Sequence, residues 1–333
     1  MMSAGQRAFL EFVLDNLVWL LLVVVLVIFS IAIPNYFQFA IFTNIIEDST
    51  YVGVMAIGLA IVIIAGNMDL SVESTAGLTA MVTGILFCNS GIGLGYTLGG
   101  NGWLVVPVSL ALALLVGGVI GFSNGVLVVK LKMNAFIVTL ASYIWVRGLV
   151  LAISGGRSAQ GMVPELRVIG IPVLDFLPPS AFVAILCFIG FSFLMRRTPF
   201  GRHVTMIGGN KVATFRAGIK TDRLILISFI IAGAVAGLAG WLLAIRTSGA
   251  TANLGIGMLF RAFAAVVIGG VSLNGGIGRL PGVYAGVLLL SAINTAINLM
   301  GLPAHYTQLI LGFLVLAAML IDTFKLQIRQ KLA

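Results

Sequence analysis

The chain has 333 residues, 60% of them hydrophobic and only 9% charged, with a net charge of +9. A soluble domain carries about 25% charged residues, so a fold of this length could not cover its surface with ionised groups. An ordinary soluble enzyme, a disordered chain and a fibrous repeat are excluded. Apolar runs recur from end to end, which leaves a polytopic all-α membrane protein with no room for a separate catalytic domain.

A spanning helix takes about 20 apolar residues. Ten spans are predicted, at 17–33, 51–65, 75–89, 103–129, 135–153, 181–195, 224–245, 260–272, 281–300 and 306–321. The first is read as a retained span, because no small-residue cleavage site follows it. The second, third, sixth and eighth are short, as expected where a helix is tilted or broken inside the protein. Gly117-Gly118, Gly233, Gly237 and Gly240 lie inside these runs and predict close helix contacts. Cys88 and Cys187 sit in apolar runs and read as buried thiols without a disulfide framework.

With the N-terminus in the cytoplasm, alternation puts fourteen Lys and Arg inside and five outside or embedded. Both termini are then cytoplasmic under the positive-inside rule, and the basic balance calls for a lipid membrane rather than nucleic acid. Seven of the nineteen basic residues fall in one segment, 196–223, RRTPFGRHVTMIGGNKVATFRAGIKTDR. Gly208-Gly209 are expected to break the chain there, Asn210 to cap a short helix over 211–217, and Gly218 to end it. A helix this short is marginal alone in water. The segment is either an ordinary topology-fixing loop or a docking helix for a cytoplasmic partner.

An internal echo links AIVIIAG (60–66) to AAVVIGG (264–270), each followed by a polar, Ser-bearing patch. Both patches fall on one side of the predicted topology, and duplication of this kind often places a binding site at the repeat interface. Asp69 and Glu73 read as the only acids deep in the membrane in the first half, where an ionised group costs about 2.5–3.5 kcal/mol. A helix break at Gly66 makes Asp69 the N-cap of the next helix; the same pair alternatively forms a polar wall of a solute path. Arg261 needs a partner, which Glu73 or Asp69 would supply across the repeat, unless it snorkels to the outer surface. Arg147 carries the same ambiguity. Asn67, Ser71, Ser272, Asn274, Asn294 and Asn298 are further path candidates.

Three motifs lead nowhere. GFSNG at 121–125 fits a nucleophile-elbow pattern but lies in a membrane run, not on a strand-to-helix turn. His203 and His305 lack metal-ligand spacing. There is no P-loop, so no ATP phosphate is cradled by this chain in the usual way. Catalytic and metal-ligating residues are therefore expected to be absent.

The phrases IIAGNMDLSVES (63–74), MNAFIVTLASYIWVRGLVLAISGGRS (133–158), RRTPFGRHVTMIGGNKVATFRAGI (196–219) and AAVVIGGVSLNGGIGRLPGVYAGVLLL (264–290) closely resemble the permease subunit of bacterial ABC importers for monosaccharides. That branch takes ribose, xylose, arabinose, galactofuranose and autoinducer-2. The resemblance implies a single transmembrane permease domain over 1–333 in the inner membrane, paired with a second permease subunit, either a copy or a paralogue. It implies two cytoplasmic ATP-binding cassettes, which bind the ATP and Mg, and a periplasmic sugar-binding protein. Gly208, Gly209, Asn210, Lys211, Ala213, Arg216 and Gly218 match the ATPase-coupling region. The patches around Asp69 and around Ser272-Leu273-Asn274 match two glycine-rich motifs placed near the central cavity. Two departures stand out. Asn67, Met68 and Glu73 replace Gly, Ile and Gly of the usual GGIDLSVGS, and Leu259 and Arg261 replace an acidic pair. The rival readings are a proton-coupled secondary transporter, with Asp69 or Glu73 as carrier, and a membrane scaffold that moves no solute.

Overall fold

The computed structural model describes residues 4–97, 102–172 and 177–303, with isolated positions 306, 309, 310, 312, 313, 316 and 320; side chains are described from residue 16 onward. The helices are α1 (Ala4–Ala32), α2 (Phe39–Ile64), α3 (Val72–Phe87), α4 (Gly102–Val129), α5 (Ala135–Ser154), α6 (Pro164–Arg167), α7 (Pro179–Arg197), α8 (Pro199–Gly209), α9 (Lys211–Arg216), α10 (Thr221–Arg246), α11 (Met258–Ile268) and α12 (Leu280–Leu299). Among the described residues six of them, α2, α4, α5, α7, α10 and α12, are long and apolar enough to cross a membrane. The apolar part of α1 spans 17 residues, and α3 and α11 are short, with 16 and 11. Nine of the ten expected spans thus coincide with helices. The tenth, 306–321, lies outside the described residues apart from isolated positions, as do the C-terminal basic residues of the orientation count.

The central shaft is α2, whose most apolar stretch is 89% buried, against 22% for α7. It packs on α10, α12, α11 and α7, so its apolar residues meet protein all round, whereas α7 turns Phe182, Leu186, Ile189 and Phe193 outward. Those four recur at helical spacing on one face and form a stripe suited to lipid. The α4–α10 seam is built of glycine. A Cβ on Gly117 would meet the Gly233 carbonyl, one on Gly121 the Phe229 carbonyl, and one on Gly237 the Ala113 carbonyl. The expected close contacts therefore form at Gly117, Gly233, Gly237 and Gly240, while Gly118 has nothing within 4 Å. The GFSNG pattern sits inside α4, where Ser123 donates to the Val119 carbonyl and Gly121 packs on α10.

A three-stranded antiparallel sheet, absent from the all-α expectation, adds β1 (Cys88–Gly91), β2 (Ala159–Met162) and β3 (Gly249–Ala250), in the order β1-β2-β3. Cys88 faces Met162, and Ala159 faces Ala250. Each strand follows the end of a helix, α3, α5 or α10, so the sheet ties those ends together on the side away from the basic segment 196–223. Strands of two to four residues carry too little periodicity to be read from sequence.

Candidate transport path and coupling site

Segment 196–223 folds as two short helices. Pro199 starts α8 at a position where its missing N–H costs nothing. Gly208 and Gly209 do not break the chain as expected; they form the last turn of α8. The break comes at Asn210, whose Oδ1 accepts from the Ala213 N–H at 2.9 Å and caps α9. Gly218 ends α9 with φ +82, its N–H donating to Phe215 O while Ile219 N–H donates to Thr214 O, a Schellman closure. Thr214 faces inward and is buried, whereas Val212 and Phe215 are 61% and 67% exposed. Lys211 pairs with Asp222 at 3.3 Å on the open surface.

Gly208 is wedged where the two echoing stretches meet. Helices α2 and α11 end identically. Gly66 N–H donates to Ile63 O and Asn67 N–H to Val62 O; Gly270 N–H donates to Val267 O and Val271 N–H to Val266 O. Gly66 and Gly270 both adopt positive φ, +78 and +84, which only glycine takes without strain. The turns then touch, with Gly276 N–H donating to Ile64 O at 2.9 Å and Gly275 lying against the Gly66 backbone. A Cβ on Gly208 would run into Ile64 O and Gly276 N. Ser272 and Asn274 shape the second turn: Ser272 O accepts from Gly275 N–H and Ser272 Oγ from Asn274 N–H.

Asp69 is fully buried, but it is not the expected helix cap. Helix α3 starts at Val72, and Asp69 Oδ1 instead accepts from the Ser71 N–H at 2.9 Å and the Ser71 hydroxyl at 2.6 Å, closing the turn before the helix. Asn124 of α4 donates to Ser71 Oγ at 2.8 Å, and Ser142 of α5 donates to Asn124 Oδ1 at 2.5 Å. This chain of bonds fixes α3, α4 and α5 around the turn. Asn67 lines a cavity of about 600 Å³ on the same side, with Lys132, Asn134 and Lys211.

The expected Glu73–Arg261 pair does not form. Glu73 Oε2 accepts from the N–H groups of Gly257 (3.0 Å) and Leu259 (2.9 Å), at the start of α11. Its Oε1 accepts from the Tyr143 hydroxyl at 3.2 Å and Arg147 at 3.4 Å. A helix N-terminus presents unbonded N–H groups and partial positive charge, so the carboxylate takes those and the nearer Arg147 instead. Arg147 also donates to the carbonyls of Ala252 and Leu254. Arg261 turns to Asp48, neither of its expected partners. The sequence reading began the second span at 51, but α2 begins at Phe39. Glu47 and Asp48 are therefore helical and add two acids to the membrane region.

Asp48 belongs to a second cavity, of about 420 Å³, on the side away from α8 and α9. Asn44, Asp48, Tyr51, Arg246, Asn294 and Asn298 line it. Arg246 pairs with Glu47 at 2.7 Å. Of the predicted path residues, Asn294 and Asn298 are brought together here. Asp69, Ser71 and Glu73 are buried between helices, and Asn67, Ser272 and Asn274 lie at the turns facing α8. Sequence reasoning missed Asn44, Asp48, Tyr51 and Arg246; the adjacent acids Glu47-Asp48 ahead of a long apolar run were the available signal.

The family model for the branched-chain amino acid transport system permease component matches residues 41–319. The chain is 33% identical over 316 residues to the Autoinducer 2 import system permease protein LsrC of Yersinia pestis (strain Pestoides F), covering 94% of this chain and 86% of that protein. Identity to the protein of the same name from Yersinia pseudotuberculosis serotype O:3 (strain YPIII) is 32%, with the same coverage. No solved structure matches. A match over most of the chain, on a bundle of six long apolar helices with two broken-helix turns meeting at one face, settles the family: the chain belongs to the permease components of the branched-chain amino acid transport system family.

Proposed function

We propose that the chain is the permease subunit of an ATP-binding-cassette importer, carrying a monosaccharide or related polyol across the bacterial inner membrane with energy from separate ATPase subunits. The observation that carries this reading is the α8–α9 segment. It exposes Val212 and Phe215 on a capped helix while Gly208 touches both broken-helix turns. Exposed apolar side chains at i and i+3 on a helix are the form in which a helix seats in a partner's groove, and α9 offers them to a nucleotide-driven partner. On this reading the segment faces the cytoplasm, both termini lie on that side, and ATP and Mg stay with the partner. A second permease subunit and a periplasmic binding protein complete the assembly. The polyol class follows the sequence resemblance and the autoinducer-import relatives.

No covalent step falls to this chain. Its residues offer a path whose two access states differ in free energy, and a partner shifts that balance only through unequal affinity for the two states. The test is ATP-dependent uptake by the assembled complex with Lys211→Glu/Arg216→Glu in α9. Uptake is expected to fall to background while the ATPase still co-purifies. Normal uptake in that variant removes the docking role. Uptake by this chain alone in liposomes, lost with the proton gradient and indifferent to ATP, establishes the proton-coupled alternative.

A further inference from the structure

The cavity on the far side from α8 and α9 is an open cleft lined by α2, α12 and the end of α10, and its volume of about 420 Å³ lies within the usual range for small-molecule sites, about 300–1,000 Å³. Asp48 stands sixteen residues before the end of α2, about 24 Å up the helix at 1.5 Å per residue. Asn294 and Asn298 share one face of α12 a helical turn apart, with Thr295 beside them. Among the described residues only Ile41 and Leu299 give the cavity aliphatic wall.

Its charges cancel. Asp48 is paired with Arg261 and Arg246 with Glu47, so among the described residues two acids meet two bases. A charged solute would have to break one of these pairs and lose its own hydration. A branched-chain amino acid would further need an apolar pocket for its side chain, which two aliphatic residues do not make. Three amides, a carboxylate and a hydroxyl instead present donors and acceptors at close spacing, which matches the alternating hydroxyls of a polyol.

Resting on the importer reading, we propose that this chamber is the solute entry site of the permease, and that it selects uncharged polyhydroxylated solutes over charged ones because its ion pairs neutralise each other. Asn294 and Asn298 contact the solute, while Glu47 and Arg261 act as positioning residues that hold Arg246 and Asp48.

The test uses the full chain with its ATPase and binding-protein partners in cells. Asn298→Cys is labelled with an impermeant maleimide from outside; the wild-type chain, with Cys88 buried and Cys187 half-buried, gives the baseline. Ribose or galactose at saturation is expected to slow labelling about tenfold, equivalent to about 1.4 kcal/mol of occupancy. Leucine and ribose 5-phosphate are expected to leave it unchanged. Where Asn298→Cys does not reach the membrane, Thr295→Cys takes its place. In uptake assays Asn294→Leu is expected to raise KM for the sugar more than it lowers the maximal rate. Protection by leucine or ribose 5-phosphate equal to that by the sugars overturns the selectivity; protection by neither sugar overturns the site. ATP-indifferent uptake with sugar protection intact defeats the importer reading and leaves the chamber standing. ATP-driven uptake without protection defeats the chamber alone.

Discussion

Gly208→Ala should separate assembly from energy transfer. The added methyl would occupy space held by Ile64 O and Gly276 N, both backbone atoms, so no side chain can swing aside. Either α8 withdraws from the two turns, or the Gly276–Ile64 hydrogen bond of 2.9 Å opens. Opening it leaves a buried amide unpaired, at about 1–3 kcal/mol, and overpacking of a close-fitted interior costs a similar amount. The neighbouring Gly209 has nothing within 4 Å of its Cβ position and sits in the same helical turn. Gly209→Ala should therefore be neutral or slightly stabilising, since alanine favours a helix by up to about 1 kcal/mol over glycine. The assay measures solute moved per ATP hydrolysed in the reconstituted complex. Gly208→Ala should bind the ATPase through the unchanged Val212–Phe215 surface yet lower that ratio at least several-fold, with Gly209→Ala at the wild-type value. Equal ratios in the two variants would refute the wedge.

Other expectations follow from the same geometry. Glu73→Ala strands Arg147 among buried groups and should destabilise the chain by about 3–5 kcal/mol, read as lost expression and a lower Tm. In double-mutant cycles Glu73 should couple to Arg147 and not to Arg261, and charge reversal of Glu73 with Arg261 should rescue nothing. Val212→Asp with Phe215→Asp should abolish ATPase co-purification without lowering Tm, because both side chains are exposed. Gly233→Leu drives a side chain into the Gly117 carbonyl and should prevent accumulation in the membrane, whereas Gly118→Leu should not, as a Western blot of membranes can show. Cys88 is fully buried, so maleimide should modify it only after denaturation, measured by mass spectrometry.

The spans were legible because lipid leaves a spanning chain little choice but long apolar helices. Asn210 and Gly218 were legible because capping is local: each bonds backbone groups within a few residues. The partners of Glu73 and Arg261 were not, since each depends on which helix faces which. Glu73 looked like a membrane acid in search of one base, yet four donors from two distant segments satisfy it. The second cavity was half legible. Asn294 and Asn298 stood out as amides in an apolar run, but the start of α2 was set too late because Glu47-Asp48 interrupts the hydropathy at 47–48. Tertiary pairing with Arg246 and Arg261 is what lets those acids stay in the helix.

One helix connects the two regions. The last carbonyls of α2 are held by its glycine turn and by Gly276, beside Gly208. Its opposite half carries Asn44 and Asp48 into the polar chamber. Between them the shaft is almost wholly buried and contacts α10 closely enough that a Cβ on Gly58 would meet the Ala232 backbone. Such a shaft does not bend to absorb a push, because close-packed interiors transmit displacement rather than dissipate it. A shift of α8 at one end is expected to appear as movement of Asp48 against Arg261 and α12 at the other. The ion pairs of the chamber are suited to that task. Each joins α2 to a different element, Glu47 to the end of α10 and Asp48 to α11, so movement of α2 alone loads both pairs at once. A solute in that cavity would then feel the state of the distant motor through four charges that otherwise cancel.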